Sequence, residues 1–239
     1  MARIFRTRQS VRRRPATPRR LAMRVERLEP RQLLAVDVTT LADSGAGSLR
    51  AAITAVNAGG TADSIVFKNL GAGTIFALST LPTLAVSGTT FQFSGTTSSI
   101  TINGSGAGSG GDGLIIGAGV NTIGLDGIVL AIENFSQNGL SFGGSSTGTT
   151  INGLSLRLNG FNGIQFAGGN YTGTTVRNTR ISDNGRAGIV TAAAATGLTI
   201  GGTSANQGNN IVGNGTHGIE LAAGAYTGSS IVGNRIVDN

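Results

Sequence analysis

The feature that most constrains this chain is a repeat that can be read directly from its residues. Four segments align: Gln137-Asn138-Gly139-Leu140-Ser141-Phe142, Phe161-Asn162-Gly163-Ile164-Gln165-Phe166, Arg186-Ala187-Gly188-Ile189-Val190-Thr191 and Thr216-His217-Gly218-Ile219-Glu220-Leu221. Their glycines lie 24, 25 and 30 residues apart. A second column follows, Thr147-Gly148, Thr172-Gly173, Thr196-Gly197 and Thr227-Gly228, leading into strands that end on Ile151, Val176, Ile200 and Ile231. A third places Leu156, Ile181, Ile211 and Ile236 before Asn159, Asn184, Asn214 and Asn239. The longest spacing contains the insertion 201–208, which reads as a surface loop between strands.

Each repeat thus holds three short strands that alternate, as in Ile164-x-Phe166, so one side of each faces inward. Such a unit cannot bury its own inner face. Stacking successive units at about 4.8 Å pairs their backbones and sets like residues on like. The expected fold is therefore all-β, a parallel β-helix of five to seven coils from about residue 64 onward. Its right hand is expected from the chirality of parallel connections. A propeller would need about 40–50 residues per blade. The composition agrees: 40 Gly, 12% charged residues, 5% aromatics and apolar residues in short bursts suit many strands and turns. With no Cys, disulfides and thiolate metal sites are excluded.

The net charge of +7 raises a nucleic-acid reading, which its distribution removes from the folded part. Residues 1–34 hold 11 Arg against Glu26 and Glu29, whereas the remainder holds 7 cations against 9 acids. The leader has no apolar run of the kind an ordinary secretory signal needs, and no window is long enough to span a bilayer. Within it, Arg27-Leu28-Glu29-Pro30-Arg31-Gln32-Leu33-Leu34 resembles the LEPR-XLL motif of large repetitive bacterial proteins, and this resemblance implies export. Three prolines and many like charges leave the leader little apolar surface with which to pack.

Asp43-Ser44-Gly45-Ala46-Gly47-Ser48-Leu49-Arg50-Ala51-Ala52-Ile53 reads as a Gly-rich turn, a Ser N-cap and a helix over 48–58 stopped by Gly59 and Gly60. Leu49, Ala52, Ile53 and Val56 share one face of it. With Asp63-Ser64-Ile65-Val66-Phe67, Thr74-Ile75-Phe76-Ala77-Leu78 and Ser99-Ile100-Thr101-Ile102-Asn103-Gly104, this stretch is similar to the opening of pectate-lyase-like β-helices on bacterial surfaces. The resemblance implies a short helix covering the first coil. The chain then divides into a leader, 1–35, a cap with the first coils, 36–103, and regular coils, 104–239, expected to be incomplete at the C-terminus and part of a longer array.

For chemistry, the column Asn159, Asn184, Asn214 and Asn239 reads as a structural ladder, because stacked amides bond one another and tolerate left-handed turns. Arg180 and Arg235 share a column, with Asn210 between them, and Asp183 and Asp238 share another; Arg180, Asp183 and Glu220 are the weak catalytic candidates. His217 stands where sister coils have Asn138, Asn162 and Ala187, which suits a turn residue better than a base. Glycoside hydrolysis needs a matched carboxylate pair, and Asp183 and Glu220 fall in different columns. Calcium needs several converging oxygens, while the acids fall mostly one per coil, so no cofactor is expected and calcium is unsupported. Gly106-Ala107-Gly108-Ser109-Gly110-Gly111 fits GxGxxG but no helix follows, and Gly110-Gly111-Asp112-Gly113 lacks the tandem copies of calcium-binding nonapeptides. Tyr171, Tyr226 and Phe161 could stack on sugars or pack beneath the Gly-rich loops. The expectation is an extracytoplasmic, non-catalytic scaffold that engages polysaccharide or a cell-surface partner and no nucleic acid; the alternative is a polysaccharide lyase, hydrolase or epimerase.

Overall fold

The computed structural model of the protein describes residues 35–61, 63–106 and 111–239; the leader motif at 27–34 lies outside them. Every strand pairing is parallel, and the strands collect into three long faces of a β-solenoid. The first face carries eight strands, from Ala35–Val38 and Ser64–Lys68 through Thr150–Asn152, Thr175–Arg177 and Thr199–Gly201 to Ser230–Val232, one for each of eight turns. The second runs from Ala72–Phe76 through Ser155–Arg157 and Arg180–Ser182 to Arg235–Val237. The third runs from Leu114–Ile116 to Ile219–Leu221, with Leu84 bridged to Ile116 beyond it.

Strict period-two alternation fixes the register, since a slip of one residue would turn each apolar column outward. Leu156, Ile181, Ile211 and Ile236 pair in succession on the second face, and Leu140, Ile164, Ile189 and Ile219 on the third. Between them runs one continuous core, in which Phe142 stacks on Phe166 at 4.7 Å and Tyr171 meets the Phe166 ring edge-on at 4.9 Å. The insertion leaves the columns undisturbed: Thr175 pairs with Thr199 before it and Arg180 with Asn210 after it.

Seven turns run from Ser64 onward, as expected, and one more precedes them, because Ala35–Val38 already forms a strand, paired with Ser64–Lys68. Its four residues carry only Val36 and Val38 as alternation, and its turn is completed by a helix instead of two more strands, so no repeat match could reveal it. That helix, α1 (Leu49–Gly59), begins at Ser48, whose side chain accepts from the Ala51 N–H, and ends at Gly60 in the left-handed region at φ 63°. Leu49, Ala52, Ile53 and Val56 are buried on its inner face, each apolar side chain contributing up to about 1.5–3 kcal/mol.

The polar side of α1 serves the strand edge beside it. Arg50 donates to the Thr80 carbonyl at 2.7 Å and the Ser79 carbonyl at 2.8 Å. Asn57 donates to the Thr83 carbonyl at 2.8 Å and accepts from the Ala85 N–H at 2.9 Å, so one side-chain amide stands in for a neighbouring strand. Edge groups that would otherwise be open to pairing are thereby occupied.

Candidate functional site

Local sequence places the recurring polar residues at the corners, where the chain must turn between faces. Asn134, Leu158, Asp183, Gly213 and Asp238 adopt φ of 59°, 57°, 58°, 68° and 53° in one corner column, a conformation that Asn, Asp and Gly accept at least cost. The following residue in three of these turns turns inward: Asn159, Asn184 and Asn214 are buried. Asn159 donates from its backbone N–H and from Nδ2 to Asn184 Oδ1 at 3.1 and 3.0 Å. Asn184 repeats this toward Asn214 at 3.2 and 2.8 Å, and Asn214 toward Asn239 at 3.2 and 2.7 Å. Each buried amide also donates to a carbonyl of the preceding turn, Asn184 to Leu156 at 3.1 Å for example. The amides are thereby engaged within the stack.

The next turn's inward isoleucine and its ladder asparagine together explain the glycines of the repeat, Ile181 Cγ2 being the first atom a Cβ at Gly163 would meet. A Cβ at Gly163 would stand 2.7 Å from the Gly188 carbonyl oxygen and 3.1 Å from Asn184 Nδ2, with Gly139, Gly188 and Gly218 similarly crowded by the neighbouring asparagine.

Two further columns were not legible as ladders in the sequence. Asn209 accepts from the Thr179 N–H at 3.0 Å and donates through Nδ2 to Asn234 Oδ1 at 2.8 Å. The insertion before Asn209 obscures its equivalence with Thr179. On the third corner the direction reverses: Asn162 donates to Asn138 at 2.8 Å, and Asn138 to Asp112 at 2.7 Å. Asp112 is suited to begin that column, since a carboxylate only accepts. His217, in the same column, is exposed and lies 3.6 Å from Glu220.

The three weak catalytic candidates occupy separate columns. Arg180 is exposed on the second face with its Nε donating to Ser182 at 3.3 Å, Asp183 lies at the left-handed corner after that strand, and Glu220 pairs in register with Val190 on the third face. A carboxylate that sequence reasoning passed over is more enclosed: Glu133 is buried, accepts from Asn103 Nδ2 at 3.0 Å, and lies 2.7 Å from Arg157 Nη2. The signal was present in the columns, since Glu133 and Arg157 pair directly. Asp126 and Arg177, at 3.7 Å, form another pair on the first face. Among the described residues, no group of three or more His, Cys, Asp or Glu converges as a metal ion would require.

The aromatic candidates also separate. Tyr171 is fully buried and donates to the Gly144 carbonyl at 2.8 Å; burial pushes its hydroxyl up to about 12, so it presents no ring to a ligand. Tyr226 is partly buried, its hydroxyl shared between Thr191 at 2.7 Å and the Ala222 carbonyl at 2.6 Å. Phe161 alone of the three lies on the outer surface, with the Arg186 guanidinium 4.3 Å from its ring centre. A cavity of about 250 Å³ lies in the last turns, between Leu198, Ile200, Leu221, Tyr226 and Ile231. Among the described residues no helix is long and apolar enough to cross a membrane.

Compared with known proteins, the chain matches no family model, no curated protein and no solved structure.

Proposed function

We propose that this protein is a non-catalytic, exported β-helix scaffold whose lateral faces present a binding surface for carbohydrate or a cell-surface partner. The observation that carries this reading is the employment of the repeat's polar residues. Asn159, Asn184, Asn214, Asn209, Asn138 and Asn162 all turn inward and bond the neighbouring turn, so what recurs most regularly is what holds the turns together. Three pairs of opposite charge stand in separate columns: the buried Glu133 with Arg157, Asp126 with Arg177, and Lys68 with Asp37. This is how a surface built for length and stability differs from one built around reacting groups.

Phe161 and its stacked Arg186 are the surface group best suited to lie against a sugar ring, and the reading requires no cofactor. The resemblance of residues 27–34 to LEPR-XLL supplies the export proposal. The test is incubation of the full chain with acidic and neutral polysaccharides, with and without calcium, while binding and bond cleavage are followed separately. Retention without cleavage, weakened by Phe161→Ala, is the expected result. Turnover that disappears in Arg180→Ala or Glu220→Gln would replace the scaffold reading with the polysaccharide lyase, hydrolase or epimerase. Deleting residues 1–35 is expected to retain the protein in the cytoplasm of its native bacterium, and unchanged location would remove the export proposal.

A further inference from the structure

The corner between the first and second faces varies in length along the stack. Leu125, Ile151, Val176 and Ile200 pair in succession on the first face, and Ala131, Ser155, Arg180 and Asn210 on the second. Between these two rows the chain spends five residues in the fourth turn, three in the fifth and in the sixth, and nine in the seventh. Two tight connectors therefore lie between two longer ones, and extra residues in a repeat array often mark its binding side. The fourth-turn connector carries Val129, 63% exposed, beside the buried Ile128. A cavity of about 260 Å³ opens there, lined by Gly127, Ile128, Val129, Asn152, Gly153 and Asn178.

We infer that this cleft is a binding site for a neutral glycan, an inference that rests on the carbohydrate reading above and gives it a place and a ligand class. Asn178 adopts φ 49° in the column that Gly127 and Gly153 occupy at 71° and 83°, so it brings a side chain where the two preceding turns have none. A Cβ at Gly153 would stand 3.9 Å from Asn178 Nδ2, which sets that amide beside the cavity. Among the described residues the Asn178 amide makes no hydrogen bond, and Asn152 donates from Nδ2 to Asp126 at 2.7 Å while its Oδ1 accepts none. A sugar hydroxyl donates and accepts, as these amide groups do, and the C–H face of its ring suits an exposed valine. Net charge is absent beside the cleft, because Asp126 and Arg177 face each other at 3.7 Å. That favours a neutral glycan over an acidic one. A peptide cannot enter by strand addition, since the strands of these turns have a neighbour on both edges.

The test titrates the full chain by calorimetry with hexamers of β-linked glucose, mannose and xylose, and with a galacturonate hexamer as the acidic probe. The expected result is saturable binding of a neutral hexamer, stronger than that of the acidic one and unchanged between roughly 50 and 500 mM salt, because no charge is recognised. Asn178→Gly removes the amide but keeps a corner that the preceding turns already build from glycine, and is expected to weaken binding about tenfold. Val129→Ser, at an exposed position, is expected to weaken it about threefold. Both variants should unfold at the parental urea midpoint. Phe161→Ala, at the corner between the second and third faces, is expected to leave the hexamer's affinity unchanged. Affinity that survives both cleft variants, or that falls in Phe161→Ala alone, would overturn this site while carbohydrate binding itself stood, as would preference for the galacturonate hexamer. Failure of every oligosaccharide and polysaccharide to bind would remove the site and the carbohydrate reading together.

Discussion

Ile53 and Ile231 are the same residue type at opposite ends of one stack, and they live in different surroundings. Ile53 is fully buried on the inner face of α1, whereas Ile231 is nearly half exposed in the eighth turn. The difference arises from what packs against each residue, since the strands themselves follow one register from turn to turn. At the first turn an amphipathic helix covers the core and Asn57 imitates a strand. In the eighth turn, Ile231 and Ile236 of the same columns are 45% and 44% exposed. In a stack whose units contact only their neighbours, a residue's energetic weight depends on whether it has a neighbour on both sides.

The largest expected contrast follows from exchanging each isoleucine for a charge. Ile53→Asp places an unpaired carboxylate in the covered core and should destabilise by about 4 kcal/mol or more. Ile231→Asp should change stability by no more than about 1 kcal/mol. Urea unfolding of both variants decides the matter, and equal losses would break the comparison.

The asparagine column sharpens it on the polar side. Asn184→Ala removes the acceptor of two buried donors from Asn159 and should cost about 2–4 kcal/mol. Asn239→Ala removes the corresponding acceptor from Asn214, but Asn239 is exposed in this chain and water can replace it, so about 1 kcal/mol or less is expected. A terminal loss as large as the interior one, in the same unfolding assay, would show that the last turn is as tightly held as the middle.

The legibility of this molecule in its sequence follows the same division. From Gly139 onward the columns could be written out because every turn repeats the same steric demand: glycine where the next asparagine packs, a β-branched or leucine residue facing inward, asparagine at the corner. The helix was equally legible through Ser48 and Gly60. The strand Ala35–Val38 was not, because its turn departs from the repeat it introduces. Glu133 is hard to read because its column carries no second acid; its partner is a base, Arg157, on the adjacent turn. Tyr171 and Tyr226 are equivalent in sequence, yet Tyr171 has the rings of Phe142 and Phe166 against it, where the later turn offers Thr191 and Leu221.

A smaller effect concerns how the covered end responds to acid. Burial pushes the Asp43 carboxyl up, but hydrogen bonds from Arg50 and the Leu78 N–H, with the charge of Arg50, outweigh it and hold Asp43 below its ordinary value. A carboxyl depressed in the folded state contributes stability above its unfolded value of about 3.9, and loses it as pH falls through the lower folded value. The helix contacts should therefore weaken below about pH 4. Asp43→Asn should cost about 1 kcal/mol at neutral pH and flatten this part of the acid profile. The readout is the urea midpoint at neutral pH and below pH 4, and an unchanged acid profile would detach Asp43 from the covering of the first turn.

The smallest effect lies between the two ends, where both neighbours are present and only the local backbone is at issue. Leu158 adopts φ 57° in the corner column whose other positions are Asn134, Asp183, Gly213 and Asp238, and its side chain is exposed rather than packed into the core. A branched aliphatic residue in the left-handed region meets a clash between its Cβ and the backbone that Asn offsets with local hydrogen bonding. Little apolar burial compensates at this position. Leu158→Asn should therefore stabilise the protein by about 0.5–1 kcal/mol, visible as a rise in the urea midpoint. A fall instead would mean that Leu158 makes a packing contribution its exposure conceals, and that position along the stack does not alone govern how much a residue contributes.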